Sequence, residues 1–446
     1  MQSKALAREV IRKLGAAGHR AYLVGGCVRD LLLGITPKDY DVATDARPDR
    51  IMDLFPNSGR VGAHFGVVLV RNVFEQIEVA TFRSDQEYTD GRRPDRVHFE
   101  TDPAEDARRR DFTINGLMMD PESGEVLDFV DGRADLERRE VRAIGDADAR
   151  FREDYLRLLR GVRFAARLDF QLAPSTFEAI RRNHALIAKV SAERVRDELT
   201  RILTEGGARY GFELLDATGL LPVLLPEIAA MKGVEQPPQY HPEGDVWKHT
   251  LLLLEQLDHP TPTLAWGALL HDVGKPNTFR VAERIRFDGH VDEGVRLAQG
   301  ILNRLRFSRD DMEQIEALIA NHMKFMDAGR MKESTLKRFL RLPKFEEHLE
   351  LHRLDVSSSN QNLESFELVK RKMTEFQEDQ LRPEPLLTGN DLIAAGYVPG
   401  PSFSRILAAV EDAQLEGELQ TSGEAMQFVR ERFPAEAAGK TGAPPA

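Results

Sequence analysis

Asp39 and Asp41 are the first side chains in this 446-residue chain whose type and spacing suit chemistry. Residues two apart on a strand point to the same face, so a strand here sets the two carboxylates side by side with Tyr40 opposite. Like charges so placed repel unless a cation lies between them. Hard oxygen ligands of this kind suit Mg²⁺, and a two-metal carboxylate site activates an attacking hydroxyl and stabilises the leaving oxygen of a phosphoryl transfer. Glu78, in the strand-like run Gln76 to Phe82, is a third carboxylate candidate. Just upstream, Leu23-Val24-Gly25-Gly26 reads as a strand entering a Gly-Gly turn, with a helix after it. Such a turn lets a phosphate approach the backbone, and Arg29 adds a charge-assisted contact. An isolated Asp-x-Asp is usually a solvated turn. One that follows Gly-Gly-x-x-Arg-Asp is much less often so. Cys27 reads as a small packing residue.

The elements that must position these groups are mixed at first. Leu6, Val10, Ile11 and Leu14 recur at helical spacing, and strand candidates follow at Ala21–Val24, Val67–Val73, Gln76–Phe82 and Val97–Glu100. Arg83 to Arg108, with its charges, Gly91 and Pro94, is expected to be a mobile loop. Beyond residue 145 the pattern is almost wholly helical, broken at Pro- and Gly-bearing stretches. The Ala-, Gly- and Pro-rich tail from 435 is expected to be disordered. Arginines crowd residues 150–167 and 181–201, which makes a phosphate-contacting stripe plausible, although each arginine alone is more simply a solvated partner of Asp or Glu.

Four ordered motifs carry a family resemblance over roughly residues 20–230. Gly25-Gly26-x-Val28-Arg29-Asp30 with Asp39-x-Asp41 resembles the opening of the class II tRNA nucleotidyltransferase and poly(A) polymerase family. Arg109-Arg110-Asp111-Phe112-Thr113-Ile114-Asn115 looks like its ribose-selecting motif, and Asp131-Gly132-x-x-Asp135-Leu136 like its connector. Glu153-Asp154-x-x-Arg157, with Arg160 and Arg163-Phe164, looks like its base-selecting motif. The resemblance implies an α+β chain with a polymerase β-like mixed-sheet head, then an all-α neck, body and tail. It also implies transfer of CMP, CMP and AMP from CTP and ATP to the 3′ end of tRNA, with Mg²⁺ on Asp39 and Asp41. Asp111 and Asn115 would read ribose hydroxyls and Arg110 a phosphate. The chemistry of the base-selecting pair agrees. Asp154 and Arg157, three apart on a helix, share a face. A carboxylate accepts from the exocyclic amine that cytosine and adenine carry, while the carbonyl of uracil or guanine would face it unfavourably. In the family the region after Arg83 helps switch specificity from C to A, so its presence favours full CCA addition or addition of A alone.

A second constellation follows. His249 precedes Leu269-Leu270-His271-Asp272-Val273-Gly274-Lys275, with His290, His322 and Asp355 later. This resembles the HD metal-dependent phosphohydrolase motif, and imidazole with carboxylate suits a transition metal or Mg²⁺. His249, His271, Asp272 and Asp355 are the candidate ligands. His290 and His322 are extra ligands or phosphate contacts, His241 flanks the site, and Asp288, Asp292 and Asp327 compete with Asp355. The expected division is a catalytic head over 1–145, a neck and RNA-binding region over 146–235, an HD domain over 236–360 and a helical tail over 361–434.

Composition narrows the field. Hydrophobic residues at 41% and charged residues at 30% read as soluble and globular. No apolar run approaches the ~18 residues of a membrane span, the N-terminus lacks a signal core, and a single cysteine excludes an internal disulfide. A cytoplasmic protein is expected. The net charge of −12 argues against non-specific nucleic-acid binding by the whole surface, not against a local basic track. Three other functions compete with CCA addition: an A-adding enzyme or poly(A) polymerase, a phosphohydrolase acting through the HD residues, and an RNA-binding protein with an inactive head. The intact Asp39/Asp41 pair argues against the last.

Overall fold

The computed structural model describes residues 2–60, 66–86, 91 and 96–434. The disorder expected beyond 434, and most of the segment Glu87–Pro94, lie outside these residues. The described chain divides into two units, one of residues 1–236 with 244–312 and another of residues 237–243 with 313–446.

The first unit opens with helix α1 (Gln2–Ala16), whose Leu6, Val10, Ile11 and Leu14 are buried as their spacing predicts. Strand β1 (Ala21–Val24) feeds the glycine turn and helix α2 (Gly26–Leu32), and β2 (Asp41–Thr44) returns antiparallel to β1. The remaining strands of the sheet are β3 (Ser58–Arg60), β4 (Val67–Arg71), β5 (Gln76–Thr81), β8 (Met118–Met119) and β9 (Val126–Leu127), in spatial order β3-β4-β5-β2-β1-β8-β9. The sheet is mixed because β2 and β5 run parallel, with Val42 opposite Val79. Alternation along β5 buries Ile77, Val79 and Thr81 and turns Glu78 to the other face.

The described residues of the segment read as a loop after Arg83 form regular elements. β6 (Arg83–Gln86) and β7 (Arg96–Phe99) form a separate antiparallel pair, and helix α3 (Pro103–Arg108) follows, capped by Asp102. Val97 and Phe99 supply a strand pattern whose pairing partner lies across the charged stretch. Helix α4 (Gly132–Arg138) belongs to the connector, where a Cβ on Gly132 would sit 2.3 Å from the Thr113 carbonyl.

Beyond it come α5 (Ala147–Glu153), α6 (Arg157–Leu168), α7 (Pro174–Asn183) and α8 (Ala192–Thr204). α6 buries Leu158, Leu159, Val162, Phe164 and Ala165, with Phe164 edge-on to Phe112 of the head. Two short strand pairs interrupt the helical part, Glu140–Val141 with Gln171–Leu172 and Arg280–Val281 with Ile285–Arg286. They are two residues long, too short for a periodicity signal. The second unit is helical, with its own cluster around Phe325, Phe339, Phe345 and Val369 and another around Leu392, Ile406, Val410 and Val429. Among the described residues no helix is long and apolar enough to cross a membrane.

Candidate active site and HD cluster

The cavity of interest, about 440 Å³, is lined by residues from every motif but the connector: Gly25, Gly26, Arg29, Asp41, Arg109, Arg110, Asp111, Asn115, Asp154, Arg157 and Arg160, with Arg167 and Arg194. Backbone geometry explains the glycine turn. Gly25 has φ +74°, and a Cβ there would meet Arg110 Nη1 at 3.0 Å.

The carboxylates gather beside the paired inner strands β2 and β5, though not all by the expected route. β2 begins at Asp41, so Asp39 precedes the strand. Both carboxylates still line a second hollow of about 440 Å³, together with Glu78 and Lys38. The register of β2 on β5, carried one residue back from Val42 opposite Val79, sets Glu78 beside Asp41. Enclosure by the cavity walls raises the Asp41 carboxyl to about 6; Glu78 and Asp39 add to the rise, and Arg110 opposes it. Asp41 keeps solvent contact at the strand start, with the like charges of Glu78 and Asp39 beside it. A divalent cation relieves that repulsion, and the all-oxygen donor set fits Mg²⁺.

Arg29 is 2% exposed and donates to Asn115 Oδ1 at 2.6 Å and to Asp30 at 2.8 Å. Its charge is met within the protein, so it shapes the turn more than it greets a phosphate. Asn115 in turn donates to Asp111 Oδ1 at 3.1 Å, and Arg160 donates to Asp111 Oδ2 through Nε and Nη2 at 2.9 and 2.5 Å. Burial works against the Asp111 charge, but Arg160, Asn115 and Arg157 outweigh it and hold the carboxyl below its usual range. Asp111, Asn115, Arg29 and Arg160 therefore form one network at the cavity wall.

The base-selecting pair differs most from its expected geometry. Asp154 is extended, in the break between α5 and α6, and only Arg157 is helical. Asp154 accepts from Arg194 Nη2 at 2.8 and 3.1 Å and from the Leu156 N–H at 3.1 Å. Arg157 donates to Glu153 at 2.6 Å and to the Arg150 carbonyl at 3.0 Å. The two side chains reach the same cavity from different backbone states. Arg163 does not line it: it is buried against Glu198 at 2.6 Å and lies over the Phe164 ring. With Arg150 and Arg157 on Glu153, Arg182 on Asp148 and Arg194 on Asp154, much of the arginine stripe is engaged by carboxylates.

Two residues were not singled out in the sequence. Asp106, fully buried, holds Arg109 at 2.8 Å and Arg110 at 3.0 Å, and these two cations outweigh its burial and keep it charged. The i+3 and i+4 spacing on a helix is a legible signal for this. Arg194 falls in the arginine-rich stretch 181–201, but its pairing with Asp154, 40 residues away, had no local signal.

In the HD segment, His271 follows the helix Pro262–Leu270, and its Nδ1 bonds the Ala268 carbonyl at 2.8 Å, which turns Nε2 toward Asp272 at 3.2 Å. His249 and His290 approach the same carboxylate at 4.0 and 3.9 Å, and Lys275 at 2.6 Å. Burial opposes the Asp272 charge, yet His271 and Lys275 hold it well below the carboxylate range. Gly274 permits this packing, since a Cβ would meet the His290 carbonyl at 2.1 Å. The imidazole and carboxylate donors suit a divalent metal. His322 and Asp355 belong to the second unit, Asp355 on the helix Phe345–Ser357.

Comparison with known proteins follows this geometry. Residues 21–142 match the poly(A) polymerase head domain, 169–232 the probable RNA and SrmB-binding site of polymerase A, and 245–361 the HD domain. A CCA-adding enzyme of Levilactobacillus brevis is 45% identical over 215 residues, 48% of this chain and 54% of that protein. One of Geobacillus thermodenitrificans is 46% identical over 211 residues, 47% of this chain and 52% of that protein. The chain thus spans about half the length of these curated relatives. The crystal structure of the Bacillus stearothermophilus CCA-adding enzyme in complex with CTP matches with a TM-score of 0.75 at 28% identity, over 96% of this chain and 97% of that one. In sequence order the chain thus carries matches to a poly(A) polymerase head domain, an RNA-binding region of polymerase A and an HD domain, and its motif residues line one cavity.

Proposed function

We propose that this chain adds CMP, CMP and AMP to the 3′ end of tRNA from CTP and ATP, without a nucleic-acid template. One observation carries the reading: Asp41 lines the same cavity as Asp154 and Arg157, so phosphoryl chemistry and base reading share one nucleotide-sized space. The relatives and solved structures named CCA-adding enzymes support it. In the reaction the tRNA 3′-oxygen forms a bond to the α-phosphorus, the bond to the β-phosphate oxygen breaks, and pyrophosphate leaves. Asp39, Asp41 and Glu78 would hold Mg²⁺, which when bound activates the hydroxyl and offsets charge on the phosphates. Arg109 and Arg110, held by Asp106, face the triphosphate. Asp154 accepts from the cytosine or adenine amine and Arg157 donates to the ring. Asp111, Asn115, Arg29 and Arg160 shape the ribose side, and Arg163 braces α6. A cytoplasmic site of action is proposed with the tRNA substrate.

The test supplies CTP and ATP separately to tRNA transcripts ending before CCA, after C, or after CC. CMP addition to the first transcript is expected and excludes the A-only reading. Lack of incorporation on every transcript would overturn transferase function.

A second activity is proposed from the Asp272 cluster: metal-dependent hydrolysis of phosphate esters or RNA ends, with Mg²⁺ or a transition metal on His249, His271 and Asp272. Asp355 is proposed as a further ligand on the HD resemblance alone. His271→Ala/Asp272→Ala is expected to spare nucleotide addition and abolish phosphatase activity. Loss of both in a folded variant would contradict separate sites.

A further inference from the structure

The Asp272 cluster holds a cation of its own. Lys275 Nζ lies 2.6 Å from Asp272 Oδ2, closer than the imidazoles around that carboxylate. His271 Nε2 and His249 Nε2 approach the same oxygen, at 3.2 and 4.0 Å. A metal shared by Oδ2 and those nitrogens, with bonds of roughly 2.1 Å, would lie within about 5 Å of the ammonium. Like charges that close repel, and both Asp272 and Lys275 are buried, so solvent screens little of the repulsion. Ammonium and metal therefore compete for one carboxylate.

Lys275 has a second acceptor. It donates to Gln236 Oε1 at 2.6 Å, and its ammonium sits 5.4 Å from the centre of the Phe287 ring. Gln236 falls between the RNA-binding match, which ends at 232, and the HD match, which begins at 245. Its backbone is fixed by pairing. The Gln236 N–H donates to the Gly244 carbonyl, and the Val246 N–H to the Val234 carbonyl, each at 3.0 Å. This ties Gln236 to the start of the helix Val246–Glu255, which carries His249.

The Gln236 amide is satisfied on one side only. The side chain is 1% exposed, and Nε2 has no hydrogen-bond partner among the described residues. A buried unpaired donor costs stability that an apolar side chain of similar size would not. Turning the amide over would set its NH₂ against the Lys275 ammonium. What the glutamine supplies is therefore the Oε1 acceptor, a neutral place for Lys275 to hold when a metal takes its carboxylate.

We propose that Lys275 is the resident counter-cation of Asp272, displaced from it by a divalent metal, and that Gln236 is a positioning residue that receives the ammonium and so sets the metal affinity. The inference rests on the HD reading and adds the residues that gate its metal. The probe is Co²⁺, which suits imidazole donors better than Mg²⁺ does. It is titrated calorimetrically into the full-length chain carrying Asp39→Asn/Asp41→Asn, so that the head carboxylates do not contribute. Added His271→Ala/Asp272→Ala assigns the remaining binding to the cluster. Lys275→Met keeps the stem beside Phe287 and removes the charge, and the Co²⁺ Kd is expected to fall about tenfold. Gln236→Leu leaves Lys275 wholly on Asp272, and the Kd is expected to rise about fivefold, an effect that disappears in Gln236→Leu/Lys275→Met. Gln236→Glu draws the ammonium more strongly and is expected to tighten Co²⁺, so one position moves the affinity both ways. That variant keeps Asp272 paired and decides the matter if Lys275→Met does not fold. An unchanged Kd in both Gln236 variants would overturn the proposal. So would equal weakening by Gln236→Leu with and without Lys275, the mark of a merely structural role. If the wild type binds no Co²⁺, its appearance in Lys275→Met would still support the counter-cation, and absence from both would overturn it. Co²⁺ binding without phosphatase activity would instead strike the hydrolase reading, and the Kd comparison would still decide the gate.

Discussion

Arg163 and Arg157 show how two arginines of one motif part ways. Arg157 reaches the cavity while Arg163 is buried against Glu198. Removing one partner of a buried pair leaves the other charge stranded, at a cost of about 3 kcal/mol or more. Arg163→Ala is thus expected to lower the unfolding free energy read from urea denaturation by that amount, with KM for CTP unchanged in the folded fraction. A raised KM without loss of stability would return Arg163 to the nucleotide. Arg157→Ala is expected to do the reverse, keeping stability to within about 1 kcal/mol and raising misincorporation of UMP relative to CMP. Arg194 engages Asp154 without filling the carboxylate: Oδ1 takes two donors and Oδ2 one, which leaves acceptor capacity for an exocyclic amine.

At the scale of elements, the telling feature is the break between α5 and α6. A continuous helix through Asp154 would carry its side chain on a fixed face with Arg157. The extended residue frees Asp154 to meet Arg194 of α8. The break is itself anchored. Tyr155 donates its N–H to the Gly91 carbonyl at 3.1 Å, and a Cβ on Gly91, whose φ is +64°, would sit 2.1 Å from the Tyr155 ring. Gly91 belongs to the segment that the family resemblance links to the switch from C to A. Gly91→Ala must therefore displace the turn next to Asp154. The expected result is retained CMP addition with AMP addition reduced at least tenfold on transcripts ending in CC. Equal loss of both would show a general role.

For the molecule as a whole, the two units present different problems of charge and burial. The second unit buries His348 in its core helix Phe345–Ser357, close to the Phe345 ring. Burial pushes this imidazole down to about 4, with Glu347 opposing and Lys324 reinforcing the shift. A histidine kept neutral in the fold and titrating near 6.5 when unfolded binds more protons in the unfolded state between those values. Its contribution is complete above about pH 6.5 and declines as pH falls toward 4, by up to about 1.4 kcal/mol per pH unit. Amide exchange across Phe345–Ser357 is expected to speed up between pH 6.5 and 5 after correction for intrinsic rates. His348→Leu is expected to weaken that dependence, leaving the part due to His352, which burial on the same helix also pushes down to about 4. An identical pH profile in the variant would remove His348 as the cause.

How much was readable in the sequence follows from the range of the forces involved. Strands β1, β4 and β5, the face of α1, the glycine turn and the order of the motifs rest on residue type and short periodicity, and these are local properties. The spacing of Asp106, Arg109 and Arg110 was equally local. Partner choice was not. Asp111 meets Arg160 across 49 residues, Asp154 meets Arg194 across 40 and Arg163 meets Glu198 across 35. Glu78 comes beside Asp41 only because two strands pair in parallel register. Sequence by itself determined which residue types are present for the proposed chemistry: carboxylates that suit a divalent metal, an Asp and an Arg that suit a base, and histidines with aspartate that suit a second metal. Tertiary structure alone decided which charges are neutralised inside the protein and which stay available, because that depends on distances across the fold and on a helix break at Asp154.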